Sequence, residues 1–188
     1  IAQCLVGSEM CKETDTGVYF NIPQSNIPRL ATVSDDRSVQ ILTPDDEGVA
    51  TIYHRGSYNG VHSIDIVNDN ELLIAQYDGS ISYWKKNKKG WRCRDVFHIH
   101  SGWVWKVQHY RIKDNLYFIS CSYDGTLKRT NVKTSYSETL VHDRSHKPIL
   151  DFAIALNNEG ILDSIYAVTD KSIYLWHDLS LIHISEPT

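Results

Sequence analysis

The chain has 188 residues, of which 41% are hydrophobic, 22% charged and 11% aromatic, a composition typical of a folded globular protein rather than of disordered or collagen-like sequence. A chain of this length buries roughly 70% of its unfolded surface and needs no disulfide or metal to hold a core. The formal net charge of −4 gives no overall positive field, so we expect neither nucleic acid nor anionic lipid as a partner.

The compartment is indicated by what the sequence lacks. No apolar run approaches the roughly 18 residues of a membrane span, so no membrane insertion is expected. The four cysteines lie far apart without a Cys-x-x-Cys pair, and there is no Asn-x-Ser/Thr acceptor. These features predict a reduced, intracellular and most simply cytoplasmic protein.

The N-terminal part carries the weakest pattern. Residues 1–29 indicate only strand and loop, and three strand-like stretches follow before residue 53. The repeat units that follow along the chain each carry a histidine, a turn aspartate and, in two of the three, a tryptophan at fixed spacing. In this N-terminal part Asp36 matches the turn aspartate, but Lys12 stands at the histidine position and Leu42 at the tryptophan position. We therefore predict a degenerate, partial unit over 1–53.

Units of regular length follow. The histidines His54, His100 and His146 are 46 residues apart, and so are the aspartates Asp78, Asp124 and Asp170. Within each unit the histidine precedes the aspartate by 24 residues, and Trp84, Thr130 and Trp176 come six residues after the aspartates. Three such sets in register indicate an internal repeat.

Each repeat contains alternating apolar stretches typical of strands. In the first unit, 61–67 and 72–75 precede an Asp-Gly hairpin signal, and 80–84 follows it. The matching stretches are 104–110 and 117–121 in the second unit and 149–156 and 165–168 in the third, with a further short strand such as 94–98 or 138–142 at the end of a unit. We predict four strands and no helix in each unit.

The period and the residues that mark it resemble the WD-repeat β-propeller family. The resemblance covers about 30–178 and is carried by His100-Ser-Gly-Trp-Val-Trp-Lys-Val107 and by the Asp-to-Trp intervals. It implies an all-β fold, a partial β-propeller of about three and a half four-stranded blades. The expected boundaries are 1–53 for the degenerate blade, 54–99 and 100–145 for two blades, and 146–178 for a truncated blade.

Both ends of the chain have the character of cut ends. The sequence opens on Ile1, and residues 179–188 resemble the conceptual translation of a sequencing-library adaptor. We therefore predict that 179–188 is a non-native tail outside the fold and that the chain is a gene fragment. Such a fragment is expected to self-associate through open propeller edges.

The resemblance also implies a structural role for the repeated polar residues. In the family, a loop histidine, a turn aspartate, a strand hydroxyl and a tryptophan form a hydrogen-bonded cluster inside a blade. The implied members here are His54, Asp78, Trp84, His100, Asp124, His146, Asp170 and Trp176, with Ser120 or Ser122 as the hydroxyl. Thr130 departs from the tryptophan position. Because active sites are not usually tiled, the repetition favours structure over a catalytic dyad or a metal site, and no cofactor is predicted.

Propeller topology brings a set of aromatic residues to one rim. In an up-and-down blade, the loop before the first strand and the turn between the second and third emerge at the same end. These positions hold the candidate binding residues Tyr58, Tyr77, Trp103, Tyr123 and Lys147. Exposed Trp and Tyr are typical anchors of protein interfaces.

A second charged feature is the run Lys85-Lys-Asn-Lys-Lys89. It is a possible phosphate or nucleic-acid patch, but it lies between the third and fourth strands of its unit. There we expect a solvated hairpin tip, with Trp91 packing on the strand rather than stacking on a base.

The leading functional prediction is a propeller scaffold that mediates protein–protein interactions in an intracellular complex. The alternative is an enzyme, because Ser63-Ile-Asp65, Asp78-Gly-Ser-Ile-Ser82 and the pair His100 and Trp105 resemble the diphthine methylesterase branch of WD-repeat proteins. That resemblance implies hydrolysis of a methyl ester in diphthamide biosynthesis on elongation factor 2. No motif nominates a nucleophile or a base for it.

Overall fold

The structure is a computed structural model. It describes residues 16–20, 29–33, 38–42, 49–53, 60–142, 147–157, 162–177 and 180–185. Strands account for all of the regular structure in these ranges, and none of them contains a helix that could cross a membrane.

The strands form four antiparallel sheets of four strands each, and every sheet follows chain order. The first sheet contains β1 (Thr16–Phe20), β2 (Arg29–Val33), β3 (Ser38–Leu42) and β4 (Val49–Tyr53). The second contains β5 (Val61–Asn68), β6 (Glu71–Gln76), β7 (Ser80–Asn87) and β8 (Gly90–His98). The third contains β9 (Val104–Ile112), β10 (Asn115–Ser122), β11 (Thr126–Asn131) and β12 (Ser137–His142). The fourth contains β13 (Asp151–Leu156), β14 (Leu162–Val168), β15 (Ser172–His177) and β16 (Ser180–Ser185).

The core lies between the sheets, in three clusters that each join two successive sheets. The first and second sheets share Ala31, Val33, Val39, Ile41, Val61, Ile64, Leu72, Ile74 and Trp84. The second and third share Leu73, Ala75, Ile81, Tyr83, Phe97, Val104, Val107, Leu116 and Phe118. The third and fourth share Tyr110, Ile119, Cys121, Leu127, Leu140, Val141, Ile149, Phe152, Ile165, Ala167, Tyr174 and Trp176.

This arrangement explains the apolar runs of the second strands. Leu72 and Ile74 on β6 pack towards the first sheet, while Leu73 and Ala75 pack towards the third. A strand covered on both faces is apolar at every position, whereas a strand with one wet face alternates. Face-to-face stacking of successive four-stranded sheets is the construction of a propeller, and the predicted all-β, partial β-propeller is confirmed.

The second and third sheets are joined at three levels. At one end the amide of His100 donates to the carbonyl of Gly79 at 3.2 Å. Midway, Asp65 on β5 accepts hydrogen bonds from the backbone amide and from Nδ1 of His109 on β9. At the opposite end, Glu71 accepts from Arg111 at 3.1 Å. Polar contacts therefore accompany the apolar cluster along the whole contact between these sheets.

The sequence and the structure differ in two elements. The strand predicted at 94–98 begins at Gly90, because Lys88 and Lys89 alone form the turn after β7 and the hairpin is longer than expected. Residues 179–188 were predicted to lie outside the fold, whereas Ser180–Ser185 pair in antiparallel register with β15 as a fourth strand. Within the described residues, this strand gives the fourth sheet four strands, where a truncated blade over 146–178 was predicted. The non-native origin of 179–188 stays a prediction.

Candidate functional site

A buried polar cluster lies where the third sheet begins. The His100 side chain has no solvent exposure and that of Asp124 only 9%. Nδ1 of His100 lies 3.1 Å from Oδ2 of Asp124, and its Nε2 lies 2.8 Å from Oγ of Ser120. Thr126 donates its hydroxyl proton to Oδ1 of Asp124 at 2.6 Å, and the Ser101 amide donates to Oδ2 at 3.0 Å. Of the two serines predicted as the hydroxyl, Ser120 contacts the histidine, and Thr126 Oγ1 also lies 3.0 Å from Nδ1 of His100.

Ser122, the other candidate hydroxyl, shapes the turn instead. Its Oγ donates to the carbonyl of Gly102 at 3.0 Å and accepts from the amide of Asp124 at 3.1 Å. Ser122 thereby holds the backbone of Asp124 against the loop that contains Gly102. Thr126 was not among the predicted members, although a hydroxyl residue two positions after a turn aspartate is a recognisable turn signal.

Hydrogen bonding sets the protonation of the cluster. Because an ionised carboxylate can only accept, Nδ1 of His100 carries the proton shared with Asp124, and Nε2 accepts from Ser120. Burial lowers the pKa of His100, and the attraction of Asp124 only partly opposes this. Burial alone would raise the pKa of Asp124, but hydrogen bonds from His100 and Thr126 outweigh it and hold that pKa well below the usual range. The pair is thus a neutral imidazole beside a carboxylate at neutral pH.

Acid is expected to destabilise the protein through His100. The unfolded chain takes up a proton on this histidine near the ordinary histidine pKa of 6.5, whereas the folded state does so only at lower pH. Folded protein therefore loses stability as pH falls below that value, while Asp124, with its own lowered pKa, contributes only in stronger acid. Between neutral pH and mild acid, the wild-type chain should therefore lose more unfolding free energy than His100→Gln, because glutamine takes up no proton on unfolding.

Urea unfolding at a series of pH values measures this difference, and the other histidines cancel because both chains contain them. Stability curves that stay parallel from neutral pH to mild acid would contradict the expected burial of a neutral imidazole.

The described residues at the matching positions of the neighbouring sheets make other contacts. Asp78 is exposed, and its Oδ1 accepts from the amide and hydroxyl of Ser80 at 2.9 and 2.6 Å. Trp84 is buried but donates its indole proton to Ser82 on its own strand at 2.8 Å. In the fourth sheet, Lys147 Nζ lies 3.0 and 2.8 Å from the two carboxylate oxygens of Asp170, and Trp176 packs in the core.

Two predicted cluster histidines, His54 and His146, lie outside the described residues, and so does Tyr58 of the predicted rim. Lys147, the charged residue of the predicted rim, forms an ion pair with Asp170.

Three of the predicted rim aromatics do come together. Trp103 lies between Tyr77 and Tyr123, with ring centroids 5.1 and 5.9 Å away. The amide of Tyr123 donates to the carbonyl of Trp103 at 2.8 Å, and that of Tyr77 donates to Gly60 at 3.2 Å. Each turn is thereby fixed to the loop that precedes its sheet, and the side chains gather on one rim.

Two further rings complete this group. His62 lies 5.3 Å from Tyr77 and 4.7 Å from Trp105, and Trp105 lies 6.1 Å from Trp103, all measured between ring centroids. We call the five residues His62, Tyr77, Trp103, Trp105 and Tyr123 the aromatic rim surface. Neither His62 nor Trp105 was predicted, because both belong to strands whose alternation assigns them to packing faces.

The aromatic rim surface combines firm support with exposure. Trp103 is 49% exposed and Tyr123 56% exposed, whereas Tyr77 and Trp105 are half-buried. Edge-to-face ring pairs fix their mutual orientation. Rigid, exposed aromatic rings are suited to binding another molecule by burial of apolar area. Within the described ranges, no group of three or more His, Cys, Asp or Glu side chains could hold a metal ion.

Comparison with known families identifies one part of the chain. The family model described as WD domain, G-beta repeat matches residues 91–129. The matched segment runs from β8 through β9 and β10 into β11 and includes His100 and Asp124. It describes the repeat and gives no support to the methylesterase branch. No curated protein matches the chain.

Proposed function

We propose that the chain is a propeller scaffold that holds a protein or peptide on the aromatic rim surface, because residues 91–129 match the WD domain, G-beta repeat, and such domains typically bind protein partners. The observation that carries the proposal is the contact network of Trp103. This ring is half exposed yet is supported by Tyr77, Trp105 and Tyr123. A partner that covers it gains apolar burial without having to order a flexible side chain.

The position of the surface also supports binding. It is built from residues of the loops, turns and first strands of the second and third sheets, so its rings are set by sheet geometry rather than by one loop. Binding residues on loops that a rigid scaffold positions are common in proteins. The intracellular location and self-association through sheet edges stay predictions from the sequence.

Replacement of Trp103 is expected to abolish most of the peptide affinity. Peptides selected from a displayed library against the 188-residue chain should lose at least roughly 30-fold in affinity with Trp103→Ala, the loss typical of a central interface anchor. Fluorescence anisotropy with the selected peptides measures the change.

The matched control is Tyr136→Ala. Tyr136 is 68% exposed and lies in the turn after β11, at the end of the third sheet opposite to Tyr123. Its replacement should leave affinity within about 2-fold, since isolated exposed side chains contribute little. Selected peptides that bind Trp103→Ala as well as wild type would refute the proposed surface.

A further inference from the structure

The largest concentration of positive charge in the sequence lies far from the aromatic rim surface. Six of the ten residues from 85 to 94 are Lys or Arg and none is acidic, in a chain of net charge −4. The structure places them on β7, on β8 and in the turn between these strands. This turn lies at the end of the second sheet opposite to the Asp78 turn.

A cleft of about 340 Å³ opens beside this hairpin, between the second and third sheets. Lys85 and Arg94 line it from the hairpin, and Arg111 and Lys133 line it from the third sheet. Positive side chains thus stand on both walls.

Glu71 separates these four cations into two pairs. Its carboxylate lies 2.7 Å from Lys85 Nζ and 3.1 Å from the Arg111 guanidinium. Burial alone would raise the pKa of Glu71, but the hydrogen bonds from Lys85 and Tyr83 prevail and lower it. Arg94 and Lys133, by contrast, are exposed and form no ion pair with any described residue. These two cations are available to an anionic ligand.

The surroundings of Arg94 favour a peptide over a polyphosphate. Asp95 and Asp114 also line the cleft, so a ligand must place its anionic groups at the two cations and neutral donors at these two carboxylates. An acidic peptide has backbone amides for that purpose, whereas a polyphosphate or an anionic membrane carries charge at every unit. Trp91 packs against the core rather than outwards, so the hairpin offers no ring for base stacking.

The strand that carries Arg94 adds a second feature suited to a peptide. β8 is the edge of its sheet and, among the described strands, pairs only with β7. Five successive residues, Arg92, Cys93, Arg94, Asp95 and Val96, are exposed along it. An edge strand presents backbone donors and acceptors that an extended chain can bind.

We propose that this cleft is a second binding site, which takes an extended acidic segment of a protein partner. Carboxylates of the segment bind Arg94 and Lys133, and its backbone lies along the β8 edge. Guanidinium and carboxylate groups form paired, charge-assisted hydrogen bonds. The site is independent of the aromatic rim surface.

The test uses a short fluorescein-labelled peptide of alternating Glu and Ser and the 188-residue chain, at about 0.15 M salt, where charges beyond about 8 Å are screened. The double variant R94Q/K133Q should weaken binding at least ~10-fold, as expected for two charge-assisted contacts. Thermal unfolding should show that it folds, since neither side chain makes an ion pair with a described residue.

The matched control, K88Q/K89Q, removes the same charge from the hairpin turn outside the cleft and should weaken binding less than about 3-fold. W103A should leave the affinity for the Glu and Ser peptide unchanged, which distinguishes this site from the proposed binding function of the aromatic rim surface. Equal losses in both double variants, equal binding of a Gln and Ser peptide, or tighter binding of duplex DNA or phosphatidylserine vesicles would each overturn the proposal.

Discussion

Gly79→Ala is expected to lower the free energy of unfolding by about 4 kcal/mol, the sum of backbone strain and overpacking. Gly79 has a φ of +85°, a conformation that L side chains rarely adopt. A Cβ at this position would also lie 2.3 Å from the carbonyl oxygen and 2.9 Å from the carbonyl carbon of His100. Both atoms are backbone, so relief requires the second and third sheets to move apart.

Gly90→Ala is the matched control, and its difference from Gly79→Ala gives the contribution of the close contact with His100. Gly90 has a φ of +103°, but a Cβ there would meet nothing within 4 Å. Its replacement should therefore cost only the backbone strain, about 1 kcal/mol. Urea unfolding of both variants gives the comparison. Equal losses at the two glycines would show that His100 does not lie against Gly79.

The second large effect is expected at Asp124. Asp124→Ala removes the carboxylate that accepts from the buried Nδ1 of His100 and from the Thr126 hydroxyl. Thr126 Oγ1, 3.0 Å from Nδ1, then replaces an ionised acceptor with a neutral one. Loss of one partner of a buried, hydrogen-bonded pair typically costs about 3 kcal/mol or more. We expect a loss of this size in urea unfolding at neutral pH.

Asp78→Ala is the matched comparison, since Asp78 occupies the same repeat position but is exposed and contacts Ser80. Its loss should be about 1 kcal/mol, the contribution of local turn hydrogen bonds. A change below about half a kcal/mol for Asp124→Ala would mean that the buried cluster is absent from the third sheet.

The sequence was sufficient for the fold because the repeat and the alternation are local signals. The spacing of Asp78 and Asp124 marks the same turn in two sheets, and the structure places both between a second and a third strand. The strand Ser180–Ser185 was not predicted, because the resemblance of residues 179–188 to a translated adaptor led us to leave them out of the fold. Pairing with β15 depends only on an edge being present, not on the origin of the residues.

The site was predictable only in part. Topology alone brought Tyr77, Trp103 and Tyr123 to one rim. The contacts of His62 with Trp105 depend on how closely β5 and β9 lie side by side, which the pattern of one strand does not reveal. The same holds for cross-sheet ion pairs such as Glu71 with Arg111, since their partners are forty residues apart without any repeated spacing.

Two of the three polar contacts between the second and third sheets, those of Asp65 and Glu71, restrict how the repeats can be exchanged. A copy of unit 100–145 placed at 54–99 would keep the strand pattern and the Asp-Gly turn. It would put Arg111 where Asp65 stands and Tyr117 where Glu71 stands, 46 residues earlier. Both carboxylates that face the next unit would be lost. Neighbouring repeats are therefore specific to one another. Duplication or exchange of a single unit would leave the basic side chains of the next unit without these carboxylate partners.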